Sequence, residues 1–559
     1  MKPMLLKACV LTVMAMACAK SFAVENSPAS SGWPPAEPAA VARWQALRFG
    51  MFIHWGPVSL TGKEIGWSRG EETPIAVYDN LYKEFNPTNF NADEWVAVAK
   101  AAGMKYIVLT AKHHDGFCLW DTKLTDYNIM HTPFHRDVVK ELSEACKKAG
   151  IAFGAYYSVP DCYDPDWPFL NPGGSIKKTN APDLAAYEKY LQGQISELIT
   201  NYGPLITIWN DIPEVYGQRG AATIKLVRSL QPDILINDRT GAGGDYDTPE
   251  QRIGKFQLDR PWESCMTVSA HNQWAWGGPD DGVKSTAACL DMLIRAAGGD
   301  GNVLLNVGPR PDGIIDPAQA NRLKAIGDWL AKNGESIYGT RGGPWKPTSA
   351  IVSTRAGNAV YLHILNGKDG HVELPALPVR IISATLLNGG GKVKIEQTNG
   401  TLAVIVSAAA LQPVDTIVKF QLDSPAMDLP ALAIAPATRA TASNVYGNDE
   451  AEYGAQQAFD DDNQTRWATA EGTKQAWIAV DFLKPRMVSR VWISEAYAGR
   501  VQKFELQYRD GGDWKTLFAG TTLGDDFQKS FPSVTAQEFR LNILDASEGP
   551  TINEIKFTN

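Results

Sequence analysis

Strand-like and helix-like stretches alternate through roughly the first three hundred residues, and that alternation leaves few folds open. Arg48 to Gly56 reads as a strand ending at His54, and Asn91 to Gly103 as an amphipathic helix with Trp95, Val98 and Ala102 on one face. Lys105 to Phe117 is a strand running into His113, His114 and Asp115. Arg136 to Ala149 is a helix stopped by Gly150, and Ile151 to Ser158 is the next strand. A helical pattern from Asp183 to Thr200 leads into the strand-like stretch Leu205 to Pro213 (LITIWNDIP). Ala221–Leu230, Ser285–Ala297 and Pro317–Asn333 read as helices, and Asp233–Arg239 and Asn302–Pro309 as strands. The expected fold is a (β/α)-type, TIM-like barrel.

The polar residues fall where such a barrel builds its active site. In Leu205 to Pro213 an apolar run ends abruptly in Asn210 and Asp211, and Pro213 blocks continuation. A carboxylate at an apolar strand tip is costly unless the tip opens into a site, although aspartate also caps helices. His54, His113-His114, Tyr156-Tyr157, Asp211 and Arg239 all lie at strand ends rather than starts. Capping does not explain five such coincidences, so a site on the C-terminal face is expected.

The 559-residue chain is too long for one core. We divide it into a signal peptide (1–23), a catalytic barrel (24–344), a β-sandwich (345–423), a Pro/Ala-rich linker (424–438) and a second all-β domain (439–559). Lys2 and Lys7 precede the apolar run Ala8–Ala19, and Ser21-Phe22-Ala23 offers a cleavage site, so export is expected; the alternative is a lipoprotein anchored through Cys18. The destination is then periplasmic or extracellular, without a stable membrane span. The five remaining cysteines form no CxxC pair, which gives neither a disulfide framework nor a zinc site. A net charge of −9 argues against nucleic acid as a partner, and 17 tryptophans suit sugar binding as well as core packing.

Glycoside hydrolysis needs two carboxyl groups, one as nucleophile or base and one as acid. Asp211 is the nucleophile candidate. The acid is either Glu250, in a Gly-rich loop, or Glu263, in a largely apolar run where it could instead line the pocket or satisfy a buried hydrogen bond. His113 and His114 are adjacent, so on a regular strand they point to opposite faces; gripping sugar hydroxyls is favoured over binding one metal ion. Arg239 could pair with a site carboxylate or donate to a ring hydroxyl.

Residues 49–56 (FGMFIHWG), 105–120 (KYIVLTAKHHDGFCLW), 153–158 (FGAYYS), 208–211 (IWND), 237–239 (NDR) and 301–313 (GNVLLNVGPRPDG) resemble glycoside hydrolase family 29, the α-L-fucosidases. The resemblance implies a retaining, cofactor-free mechanism with Asp211 as nucleophile and Glu250 as acid/base, Glu263 remaining the runner-up. It also implies that His54, His113, His114, Tyr156, Trp209 and Arg239 hold fucose. Many members have Glu-Trp adjacent, whereas here Ile65-Gly66 separates Glu64 from Trp67. This pattern, with EIGWSRG and TPEQ, is similar to the subgroup acting on α-1,3/1,4-linked fucose, where Glu64 would bond a hydroxyl and Trp67 pack on the sugar's methyl side.

Residues 441–444 (TASN), 456–469 (QQAFDDDNQTRWAT), 477–482 (WIAVDF) and 552–557 (INEIKF) resemble the discoidin, or factor 5/8 type C, fold, which includes carbohydrate-binding module family 32. That resemblance implies a structural calcium ion held by the side chains of Asp460, Thr465 and Glu554 with backbone oxygens of Gln457, Asp462 and Asn553, although Asp460 to Asp462 could be a solvated turn. The expected activity is exo-α-L-fucosidase on fucosylated oligosaccharides or glycoconjugates. The alternatives are a fucosidase without linkage preference, a non-catalytic glycan-binding surface protein, and a metallohydrolase.

Overall fold

Seven short strands, β1 (Phe49–Ile53), β2 (Tyr106–Lys112), β3 (Ala152–Ser158), β4 (Thr207–Asp211), β5 (Leu235–Ile236), β6 (Glu263–Thr267) and β7 (Asn302–Val307), form one parallel sheet in the order β5-β4-β3-β2-β1-β7-β6. The computed structural model describes residues 32–213, 217–253, 256–365, 370–389, 391–398, 400–434, 438–460 and 465–559. The expected signal peptide, Cys18 and Asp462 lie outside the described residues.

Every residue of β1, β2, β5, β6 and β7 is buried, as a parallel sheet covered on both faces requires. One face packs against the helices through Met51, Ile53, Ile107 and Leu109. The other gathers Phe52, Tyr106, Tyr156, Trp209, Tyr246 and Leu304. Helices Ala92–Ala101, Val138–Ala149, Leu184–Tyr202, Thr286–Gly298 and Pro317–Asn333 each start behind an Asn, Asp or Ser whose side chain accepts a first-turn N–H.

The segment Tyr246 to Glu250 lies between the outer strands β5 and β6. Parallel bridges join Asn237 to Tyr246, Asp247 to Trp262 and Glu250 to Cys265. Backbone bonds from Asp247 N to Pro261 O and from Gln251 N to Cys265 O, each 3.0 Å, extend the seam. This irregular stave spans the two sheet edges and delivers Glu250 to the mouth.

Two elements differ from the sequence expectation, and the first has a clear physical cause. The stretch Asp233–Arg239 yields only the two residues of β5, because Asn237 replaces the ladder with its side chain. Its Oδ1 accepts from Asn210 N (2.7 Å) and its Nδ2 donates to Asn210 O (2.9 Å). Glu263–Thr267 is a strand although its sequence, ESCMT, lacks the β-branched apolar pattern of its neighbours.

The next segment comprises β8 (Arg341–Gly342), β9 (Ile351–Ala356), β10 (Ala359–Leu365), β11 (His371–Pro375), β12 (Ile381–Leu386), β13 (Lys394–Gln397), β14 (Thr401–Ile405) and β15 (Asp415–Leu422). They form a five-stranded sheet, β12-β15-β10-β9-β8, and a three-stranded sheet, β11-β14-β13, around a core including Trp345, Leu362, Leu402 and Phe420. The first half of 424–438 is not a free tether. Arg355 Nη1 donates to Ala426 O (3.2 Å) and Leu429 O (2.7 Å), and Leu432 exchanges backbone bonds with Pro344 and Lys346. From Arg439 onward a third, all-β unit has its own core, built on Trp467, Val480, Phe504 and Leu541. Among the described residues no helix is long and apolar enough to cross a membrane.

Candidate active site

Asp211 is the last residue of β4, and Ile212 behind it takes a left-handed conformation (φ 49°) that an isoleucine rarely adopts. The carboxylate is fully engaged. Tyr156 OH donates to Oδ2 (2.8 Å), while Arg239 Nη1 (2.7 Å) and Ile212 N (3.1 Å) donate to Oδ1. Burial raises the carboxyl pKa, but Arg239, His114 and these hydrogen bonds outweigh it, so Asp211 is held below the usual aspartate range. Burial, and then the Asp211 charge, push the Tyr156 phenol well above its ordinary value, so it keeps its proton to donate.

Arg239 joins this carboxylate to a second. Its Nη1 lies 2.7 Å from Asp211 Oδ1 and 2.9 Å from Glu250 Oε2. Those two oxygens are therefore no more than about 5.6 Å apart, short of the ~6.5 Å at which paired carboxyls begin to admit a water between them. Asp211 is sunk (13% side-chain exposure) and Glu250 is open (41%), as a nucleophile under the sugar and a proton donor beside it would be. The guanidinium is fixed by Thr248 through Nε to Oγ1 (3.1 Å) and Nη2 to O (2.9 Å), and packs 4.9 Å over Trp209. Burial opposes its charge, but Asp211 and Glu250 overcome that and hold it protonated.

The three histidines are buried, and burial drives each pKa down: His54 to about 3, His114 to about 4 and His113 well below the ordinary value. Neighbouring bonds set two tautomers. Asn306 Nδ2 donates to Trp274 O (2.7 Å), so its Oδ1 accepts from His54 Nδ1 (2.7 Å). Ser158 Oγ donates to Pro160 O (2.7 Å), so it accepts from His114 Nδ1 (2.7 Å). Each ring is left with Nε2 as an acceptor, and that of His114 lies 3.7 Å from Asp211 Oδ2. His113 stacks on Tyr156 at 5.4 Å, and its Nδ1 has no hydrogen-bond partner among the described residues. Also among them, no group of three or more His, Cys, Asp or Glu is arranged to hold a metal.

The remaining expected site residues separate. Trp67 is 41% exposed and meets His114 edge-on at 5.7 Å, so it is open to a ligand. Trp209 is buried, stacked on Tyr156 at 5.5 Å. Glu263 is not at the mouth. It is wholly buried beneath Trp209, accepting from Tyr106 OH and from Trp209 Nε1 (3.3 Å), and burial lifts its pKa to about 7. It opens β6, at the start of its strand rather than at the tip where Asp211 ends β4, and it has no exposed surface. Glu64 is half-buried, with both carboxylate oxygens on backbone amides.

Sequence reading missed Trp274, Asn306 and Thr248. Asn306 follows the strand-end rule that found the others, since it is the penultimate residue of β7. Trp274 and Thr248 lie in loops with no periodicity to expose them.

In the C-terminal unit, Thr465 Oγ1 lies 3.1 Å from Gln457 O and 3.0 and 2.9 Å from the Asp460 carboxylate oxygens. Asn553 and Glu554 lie on the strand Thr551–Thr558, with Glu554 buried. These are all oxygen donors, a set that fits a hard cation such as calcium.

A barrel mouth carrying two carboxylates on one arginine, ringed by histidine and indole, is a site of glycoside-hydrolase type. The chain belongs to the alpha-L-fucosidase family, whose profile matches residues 16–335, and residues 439–556 match the F5/8 type C domain. It is 29% identical to bovine tissue alpha-L-fucosidase over 371 residues, covering 60% of this chain and 77% of that one. It is 31% identical to human plasma alpha-L-fucosidase over 356 residues, covering 57% and 74%. Alpha-L-fucosidase isoenzyme 1 from Paenibacillus thiaminolyticus superposes with a TM-score of 0.63 at 32% identity, covering 69% of this chain and 99% of that one. A family 29 fucosidase from Bacteroides thetaiotaomicron gives 0.63 at 26% identity, covering 71% and 99%. The chain is an α-L-fucosidase and acts on glycans.

Proposed function

We propose that the chain is a retaining exo-α-L-fucosidase that removes terminal fucose, α-1,3- or α-1,4-linked, from glycans. The observation that carries this reading is the Arg239 nitrogen ion-paired with both Asp211 and Glu250, since inverting enzymes keep their carboxyls ~6.5–9.5 Å apart to admit a water. Asp211 attacks the anomeric carbon while Glu250 gives its proton to the departing oxygen. Glu250 then takes a proton from the water that releases fucose and frees Asp211. The Bacteroides thetaiotaomicron relative was solved as a trapped covalent intermediate, which supports the same course here.

The free Nε2 acceptors of His54 and His114 and the unpartnered Nδ1 of His113 take sugar hydroxyls, while Trp209 and Tyr156 form the apolar wall. Exposed Trp67 meets the methyl side of the sugar and shapes linkage preference. The leader, residues 1–23, directs export to the periplasm or beyond. Gln457, Asp460, Thr465, Asn553 and Glu554, with Asp462, would hold a calcium ion that stiffens the C-terminal unit without entering the chemistry.

A panel of linkage-defined fucosyl oligosaccharides, assayed beside Asp211→Ala, tests the reading. Release from α-1,3 and α-1,4 linkages alone supports it, and equal release from every linkage and from aryl fucosides makes the enzyme a broad fucosidase. Equal, negligible release by both proteins would make the chain a glycan-binding protein.

A further inference from the structure

One half-buried carboxylate ties together two loops that flank the mouth. Glu64, in the loop after β1, accepts from Trp274 N (Oε2, 2.7 Å) and Ala275 N (Oε1, 3.0 Å) in the loop after β6, and from its neighbour Ile65 N (2.9 Å). Trp274 is also gripped at its carbonyl by Asn306, the residue whose amide oxygen fixes His54. The indole rests 4.9 Å from the His54 ring and meets Phe52 edge-on at 6.1 Å. The loops also touch at Gly62, where a Cβ would lie 3.7 Å from Gly278 Cα. On the other flank Gly66 N donates to Tyr78 OH (2.8 Å), which donates to Asp115 Oδ2 (2.8 Å), so the arm bearing Trp67 is pinned.

We propose that Glu64 is a positioning residue: it clamps the loop after β6 so that Trp274 closes the sugar pocket against His54, and it acts on catalysis through Trp274 rather than by gripping a sugar hydroxyl. A carboxylate drawn partly out of water needs donors in its place, and here backbone amides from two loops supply them. Ordering the Trp274 backbone at both N–H and C=O gives the indole one seat, and the cost of that order is met before substrate arrives.

The inference rests on the fucosidase reading, and a double-mutant cycle of Glu64→Gln and Trp274→Ala separates the two. Turnover of an aryl fucoside is measured together with amide hydrogen exchange over residues 268–280. Glu64→Gln is expected to lower kcat/KM between roughly tenfold and a hundredfold and to speed exchange in that loop. Added to Trp274→Ala it should cost no more than about twofold. A full additive loss with unchanged exchange would overturn the clamp and make Glu64 a direct ligand. Glu64→Asp, which keeps the charge and withdraws it by one methylene, is read the same way if Glu64→Gln does not fold. Should the wild-type protein release no fucose, the fucosidase reading fails; exchange then decides alone, faster exchange supporting the clamp and unchanged exchange overturning it.

Discussion

Asp211 and Glu250 share a single nitrogen of Arg239, at 2.7 and 2.9 Å, although one ends a strand and the other rides an irregular stave between β5 and β6. The guanidinium sets the spacing of the pair and keeps Asp211 anionic. Removing either carboxylate therefore leaves the half-buried Arg239 charge with one partner fewer.

Asp211→Ala should abolish turnover, with kcat falling by roughly a thousandfold or more, while the fold persists. Circular dichroism alongside single-turnover kinetics checks both halves of that statement.

Arg239→Lys keeps the charge but has no fork to span two carboxylates and Thr248 together. A drop of about a hundredfold in kcat/KM is expected, carried mainly by kcat. A variant changed only in KM would place Arg239 in ground-state binding.

The pH dependence of stability has opposite slopes on its two sides. The folded pKa values of His54 (about 3) and His114 (about 4) lie below the unfolded value of 6.5. The unfolded chain therefore binds protons that the native state refuses, and stability is lost as pH falls from 6.5 through those values. For His114 the loss approaches roughly 3 kcal/mol. Glu263, at about 7 folded against 4.5 unfolded, binds a proton only in the native state, so stability falls as pH rises from 4.5 through 7. Glu263→Gln should raise the melting temperature at pH 8 and leave it nearly unchanged at pH 4.5, as read by calorimetry.

Calcium removal should lower the melting temperature of the C-terminal unit and leave aryl fucoside hydrolysis unaltered. Calorimetry with EDTA, and with calcium restored, reads the first; loss of activity on chelation would contradict the second.

The barrel was legible because its strands are buried on both faces and its site residues interrupt apolar runs at strand ends, as Asp211 does after Trp209. The residues alone left Glu250 and Glu263 both open as the acid, with only the resemblance favouring Glu250, since the two look alike in sequence and differ in burial. The seam from Tyr246 to Glu250 that lifts one to the mouth is made of backbone bonds without a side-chain pattern. The setting of Glu64 was hidden for a related reason: beyond its neighbour Ile65, its partners are the amides of Trp274 and Ala275, about two hundred residues away. The Pro/Ala composition of 424–438 likewise hid the carbonyls that bind Arg355.

The most direct measurement is proton NMR of the product formed by Glu250→Ala in azide. Rescue should yield α-L-fucosyl azide, because azide attacks a fucosyl group already inverted once on Asp211 and no longer guarded by a base. A β-configured azide, or rescue of Glu263→Ala in place of Glu250→Ala, would contradict the assignment of this pair.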